Sequence, residues 1–307
     1  MSGLPCFLLG PTASGKSEAG ILLAEAAGCE ILSLDAMAVY RGMDVATAKP
    51  DAETRRRVPH HGIDLVDPAE EFHLKAFLDL ARNLLAAPGK RVLGLVGTGY
   101  YLHRLRAGLF EGPGADWALR GELEARGTEA LREELSRRDP QAAAAIPPGD
   151  RRRAIRALEV VLATGRPLSA WQKEGTRGGL TQAVLLGIRR ERADLVARIE
   201  RRADAMFAAG LVEETRRLAA SGLSRSASQA LGTKEVLGYL KGDYGLEAAT
   251  ELVKRRTRQF AKRQMTWFRR FPDVRWVDAG PEEPADILTA RLLGALREAE
   301  AALGEAA

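Results

Sequence analysis

The octet Gly10-Pro11-Thr12-Ala13-Ser14-Gly15-Lys16-Ser17 restricts this chain more than any other stretch of its sequence. It fits G-x-x-x-x-G-K-[ST], follows the apolar run Cys6–Leu9 and opens a helix-forming stretch from Ser17 to Ala27. A strand, this loop and a helix in that order form a phosphate loop. Glycines at 10 and 15 let the backbone curl, so that amides of Thr12, Ala13, Ser14 and Gly15 face an anion, and the helix N-terminus adds partial positive charge. Lys16 neutralises phosphate oxygens, and the Ser17 hydroxyl is suited to ligate Mg²⁺. The motif predicts a polyphosphate ligand without saying which.

Four more short apolar runs, Ile31–Leu34, Ile63–Val66, Val92–Val96 and Val184–Ile188, are too short for helices and read as buried parallel strands. Helical stretches such as Lys75–Ala87 lie between them. This alternation predicts an α/β fold: a P-loop-type doubly wound parallel sheet. From Asp116 to about Thr164 Ala, Glu, Arg and Leu dominate, with breaks at Asp139-Pro140 and Ile146–Gly149, which reads as a helical insertion. The sheet pattern resumes at Ala183, and long helices follow from about Arg192 to Ser221, Thr233 to Lys241 and Ala248 to Arg270. The expected organisation is a discontinuous core, 1–115 with 183–280, a helical insertion, 116–182, and a C-terminal helical tail, 281–307.

With 46 Lys and Arg against 41 Asp and Glu, the formal net charge of +5 is modest, so its meaning rests on clustering. Between Lys254 and Arg270 there are eight Lys or Arg and no acid. Val253, Phe260 and Trp267 recur every seven residues and should pack, while Arg256, Arg263 and Arg270 recur on another face. That face suits a phosphate backbone or is simply solvated. Arg151, Arg152, Arg153 and Arg156 form a second cluster, after an Asp150 that caps the helix they open. Trp117 is either a base-stacking surface or a core anchor.

No apolar run approaches the roughly 18 residues that span a bilayer, and the structured motif begins within ten residues of the start, too soon for a signal peptide. A cytoplasmic protein with no membrane contact, and a monomer, is the expectation. Cys6 and Cys29 have no disulfide or zinc spacing and should be buried and inert, and the four histidines form no metal-binding pattern.

Asp35 ends the second strand, on the edge where doubly wound sheets gather their ligands. In a kinase or ATPase such a carboxylate holds a metal or orients a hydroxyl; in transfer to an amine it takes the proton; it could also merely cap a turn. The residues after it decide for a family. Ala36-Met37-Ala38-Val39-Tyr40-Arg41-Gly42-Met43-Asp44-Val45-Ala46-Thr47-Ala48-Lys49-Pro50 is followed by Pro59-His60-His61-Gly62-Ile63-Asp64-Leu65-Val66-Asp67-Pro68. Gly97-Thr98-Gly99-Tyr100-Tyr101, Arg153-Ala154-Ile155-Arg156-Ala157-Leu158-Glu159-Val160 with Thr164-Gly165, and Thr257 through Lys262-Arg263-Gln264 to Phe268 come later.

In order and spacing this set resembles the tRNA dimethylallyltransferases of bacterial type, also called tRNA isopentenyltransferases, over roughly residues 5 to 277. The resemblance implies that the loop grips the diphosphate of dimethylallyl diphosphate, not ATP, and that Asp35 is the base acting on an adenine amine, with Thr98 beside it at the reaction centre. It implies contacts to the tRNA anticodon arm from Asp35, Ala36, Met37, Ala38, Thr98 and Arg120, and from the segment with Arg152, Arg153 and Arg156. It also implies that Arg202 assists the diphosphate. Arg202 lies on an apolar helix stripe with Leu195, Ile199 and Met206, so its charge either snorkels to the rim or meets that anion. The chain departs from the family at Ala36, Ala38, Val96 and Thr233, where Ser, Gln, Gly and Tyr are usual. Three rivals remain: a P-loop kinase or ATPase, an enzyme prenylating free AMP or ADP, and a noncatalytic RNA-binding protein.

Overall fold

The computed structural model describes residues 4–109, 112–174, 179–180 and 182–304. The chain divides into two units, Met1–His103 with Thr181–Ala307, and Arg104–Leu180. The first is built on a six-stranded, all-parallel sheet of order β3-β2-β4-β1-β5-β6. Its strands are β1 (Cys6–Leu9), β2 (Glu30–Leu34), β3 (His60–His61), β4 (Val92–Val96), β5 (Val184–Arg190) and β6 (Arg275–Ala279). The helices of its N-terminal part are α1 (Lys16–Ala27), α2 (Asp44–Thr47), α3 (Ala52–Arg57) and α4 (Leu74–Ala86), and the division between units falls within α5 (Gly99–Ala107).

Every residue of β1 and β4 is buried, as expected of apolar runs covered on both faces of a parallel sheet. Gly94, in the middle of β4, is required by its neighbour: a Cβ there would come within 2.2 Å of Phe7 Cδ1.

Two strands differ from the sequence reading. The run Ile63–Val66 is not a strand. β3 is His60–His61, paired with Ile31 and Leu32, and it ends because Gly62 (φ +78) and Asp64 (φ +52) leave the extended region. Side chains hold that bend, since the Asp64 carboxylate is shared by Lys49 (2.6 Å) and Arg55 (2.6 Å). Val66 forms only an isolated bridge to Tyr40. β6, which no apolar run announced, is an edge strand that alternates buried and exposed positions.

In the C-terminal part, the single helix expected from Arg192 to Ser221 is two, α11 (Arg192–Ala208) and α12 (Leu211–Ser221), broken at Ala209-Gly210. α13 (Thr233–Lys241) and α14 (Leu246–Phe268) follow. Segment 281–307, read as a tail, is not peripheral: α15 (Ala285–Gly304) lies against α1 and buries Leu288, Leu292, Leu296 and Ala299 in the core. Spacings of four, four and three residues make one apolar face. Cys6 is buried in this core and Cys29 is only half-buried; both are free thiols whose pKa burial pushes up.

The helices of the second unit are α6 (Trp117–Ala125), α7 (Thr128–Arg138), α8 (Pro140–Ala145), α9 (Arg151–Thr164) and α10 (Leu168–Lys173). The chain breaks where the sequence indicated. Asp139 caps α8 through the Ala142 amide (3.0 Å), and Asp150 caps α9 through the Arg153 amide (3.1 Å). Leu123, Leu131, Leu135, Ile155 and Leu158 form a core of its own. Among the described residues, no helix is long and apolar enough to cross a membrane.

Gly94→Ala tests the sheet packing. Overpacking against a fully buried ring is expected to lower stability by about 1–3 kcal/mol, read as a fall in the midpoint of denaturant unfolding.

Candidate active site

Three neighbouring strands end level with one another, because Leu9 pairs with Val96 and Val96 pairs with Leu34. The next residue on each strand is Gly10, Gly97 and Asp35 respectively. At about 4.8 Å between strands, the phosphate loop, the Gly97-Thr98 corner and the carboxylate therefore begin side by side. Together with α11, α13 and α14 they line a cavity of about 840 Å³, within the range for small-molecule sites.

The loop keeps its curl through backbone geometry and two braces. Ala13 (φ +64) and Gly15 (φ +91) are left-handed, and Ser14 N–H closes a turn on Pro11 O at 3.2 Å. Arg198 Nε donates to Ala13 O (2.9 Å) and Arg190 Nε to Ser14 O (2.8 Å). A planar trans peptide puts the following amide on the side opposite its carbonyl, so bracing the Ser14 carbonyl fixes where the Gly15 amide points. Thr12 departs from expectation: its N–H is taken by Gln264 Oε1 at 2.8 Å. It therefore offers an anion its side chain, not its amide.

The Ser14 hydroxyl is buried, and no hydrogen-bond partner for it exists among the described residues. It lies against Gly10, where a Cβ would come within 2.7 Å of Oγ. A buried orphan donor in a loop of this shape fits an anion. Ser17, in the first turn of α1, is exposed on the cavity lining. Among the described residues no three His, Cys, Asp or Glu side chains gather to hold a metal. The fit is thus to a cation that takes one hydroxyl here and its other ligands from phosphate oxygens and water, as Mg²⁺ does.

Lys16, Arg202 and Asp35 interact electrostatically in this cavity. The Lys16 side chain is partly buried overall, but its ammonium loses water deep in the site. That desolvation brings its pKa down to about 8, against the pull of Asp35 and with a smaller push from Arg202. Arg202 is lowered too, by desolvation opposed by Asp35. Asp35 is fixed as well: Oδ1 accepts from Met37 N (2.8 Å) and Ala38 N (3.4 Å). A Cβ on Gly97 would lie 2.8 Å from its Oδ2, so only glycine leaves that oxygen room. Thr98 Oγ1 accepts from Ala36 N at 3.3 Å, and Thr98 N donates to Leu34 O at 2.8 Å.

The other expected contact residues are spread more widely. Met37 lines the cavity, whereas the Ala38 side chain is buried. In the helical unit, Arg120 makes a two-pronged contact with Glu159 (both 2.9 Å), and Arg156 reaches the same carboxylate at 2.6 Å. Burial raises the Glu159 pKa, but these guanidiniums and the Asp116 amide outweigh it and hold the carboxyl below its ordinary range. Arg153 pairs with Asp150 (3.2 Å), and Arg152 is exposed.

The basic face of α14 is less bare than its sequence suggested. Arg256 pairs with the buried Glu235, Arg258 with Glu200 (2.8 Å), and Lys254 with Asp204 (2.9 Å) and Glu251 (3.2 Å). Arg255, Lys262, Arg263 and Arg269 stay exposed. The packed stripe is Val253, Thr257, Ala261, Gln264 and Phe268; Phe260 lines the cavity, and Trp267 sits edge-on to Tyr100 (5.8 Å) with Arg270 4.2 Å over its ring. Sequence reading also missed Arg190, Arg198 and Gln264. Arg198 precedes Arg202 by one helical turn, a signal that was available; Arg190 gave none.

A family model described as IPP transferase matches residues 38–271. The tRNA dimethylallyltransferase of Geobacter sulfurreducens is 47% identical over 279 residues, 88% of this chain and 90% of the relative. That of Thermotoga petrophila is 41% identical over 291 residues, 91% of this chain and 93% of the relative. Among solved structures, the tRNA isopentenylpyrophosphate transferase of Bacillus halodurans superposes with a TM-score of 0.68 at 38% identity, covering 97% of this chain and 96% of that one. A eukaryotic dimethylallyltransferase solved acting on tRNA gives 0.77 at 28% identity, covering 90% of this chain and 74% of that one. With a phosphate loop and a carboxylate at the ends of neighbouring parallel strands, Lys16 and Arg202 in the same cavity, and relatives of this closeness over most of its length, the chain belongs to the tRNA dimethylallyltransferase family of IPP transferases.

Proposed function

We propose that the protein transfers a dimethylallyl group from dimethylallyl diphosphate to the exocyclic amine of the adenosine 3′ of the anticodon in tRNA, releasing diphosphate. One observation carries this reading: Asp35 shares its cavity with the phosphate loop, Lys16 and Arg202, so a proton acceptor and an anion grip address one substrate pocket.

An adenine amine is a weak nucleophile because its lone pair is delocalised into the ring. As its nitrogen bonds to the allylic carbon, Asp35 takes the proton. Oδ1 is occupied by backbone amides, so Oδ2 is the oxygen for that task. The carbon–oxygen bond breaks and its electron pair leaves with the diphosphate, whose growing charge is met by loop amides, the Ser14 hydroxyl, Lys16 and Arg202. Ser17 would hold Mg²⁺, which when bound would supply further charge neutralisation at the leaving group. Thr98 keeps Ala36, and with it the Asp35 turn, in register. Exposed Arg152 and Arg153 suit the RNA backbone, whereas Arg120 and Arg156, anchored on Glu159, present rigid guanidiniums to it. The target base must leave its stack to enter the cavity.

The deciding experiment follows labelled dimethylallyl from its diphosphate into unmodified tRNA. Wild type should label the RNA, and Asp35→Asn should lose about 10²–10⁴-fold in rate while still binding tRNA. Equal rates would remove Asp35 as base, and no label with wild type, alongside turnover of ATP, would favour the kinase reading.

Lys16 predicts a pH dependence. In the free enzyme its ammonium is protonated below about pH 8, and diphosphate favours that charged form. Donor binding should therefore need a proton above pH 8, and kcat/KM for the donor should fall by about tenfold per pH unit there. Lys16→Arg, charged throughout, should be slower but lack this limb. A wild-type profile flat from pH 8 to 10 would contradict the assignment.

A further inference from the structure

Gln264 lies on the buried face of α14 and is 5% exposed. Its carboxamide makes two hydrogen bonds to backbone. Oε1 accepts from Thr12 N–H at 2.8 Å, and Nε2 donates to Gly97 O at 2.7 Å. Thr12 belongs to the phosphate loop; Gly97 is the residue against which Asp35 Oδ2 lies. We infer that Gln264 is a positioning residue, which fixes the distance between the diphosphate grip and the Asp35 base by tying the loop after β1 to the corner after β4.

The sheet itself does not need this bond. β1 is paired with β4 along its full length, up to Leu9 and Val96. Gln264 acts beyond the last paired residues, where the two chains part and the reactive groups sit. The connection then continues without a gap: the Gly97 and Thr98 amides donate to Leu34 O (3.1 and 2.8 Å), and Thr98 Oγ1 accepts from Ala36 N. A shift of the corner therefore moves Asp35 relative to the loop. Gln264 lines the same cavity, but both ends of its carboxamide are bonded to backbone; its effect is on near-attack geometry, to which rate is far more sensitive than ground-state binding. A glutamine suits this post because one end must accept and the other donate.

This inference rests on the transferase reading above. The test measures kcat and both KM values for dimethylallyl transfer to tRNA with wild type, Gln264→Leu and Gln264→Glu, each assayed well below its own melting temperature. Gln264→Leu should lower kcat by roughly a hundredfold, with donor and tRNA KM values within about threefold of wild type. Gln264→Glu keeps the acceptor for Thr12 but, when ionised, sets a carboxylate against the Gly97 carbonyl. Protonation restores the donor, so the ratio of its kcat to that of wild type should rise as pH falls. That trend is independent of whether Gln264→Leu folds well. Unchanged kcat with a lowered melting temperature, a rise confined to the tRNA KM, or a Gln264→Glu ratio flat with pH would each overturn the inference. No transfer by wild type would instead reject the transferase reading.

Discussion

Parallel pairing of β1, β4 and β2 governs the arrangement of this protein's chemistry. In a parallel sheet the strands finish at one edge, and here three of them finish in the same row, Leu9, Val96 and Leu34. A change of register in either pair would move the loop or the carboxylate along the strand by about 3.3 Å per residue and, for a one-residue slip, send every side chain to the opposite face of the sheet. Close packing in the strands protects that register: Phe7 occupies the space that a side chain at Gly94 would need. The helices behind the sheet, including α15 on α1, cover the apolar face that makes this arrangement stable.

Two opposite electrostatic solutions operate in the two units. In the sheet unit, Lys16 and Arg202 face a single carboxylate, Asp35, and desolvation works against both cations. The cavity is thus short of negative charge, which suits an anionic ligand. In the helical unit the excess is neutralised internally: Glu159 accepts from Arg120, Arg156 and the Asp116 amide, and stays ionised although buried. The first cluster suits an anionic ligand, and the second holds two arginines still.

Much of this was legible in the chain because it is local. Strand, glycine loop and helix N-terminus are consecutive in Cys6 to Ala27, and the position of Asp35 after an apolar run marks the ligand edge. The helix caps at Asp139 and Asp150 act over three residues. Reading failed where contacts come from elsewhere. Ile63–Val66 is apolar enough for a strand, yet Lys49 and Arg55 hold Asp64 in a left-handed bend. The basic run of α14 contains no acid, but Asp204, Glu200 and Glu235 reach it from α11 and α13.

The sequence by itself determined the parallel α/β core, the phosphate loop, the carboxylate opposite it and the family, since each is written in short patterns whose physics acts between near neighbours. Only the tertiary structure decided how the loop is held. Arg190 and Arg198 brace carbonyls 176 and 185 residues away, and Gln264 joins partners 252 and 167 residues away. Such hydrogen bonds leave no periodicity along the chain, because they depend on which helix face meets which strand end after the sheet has formed.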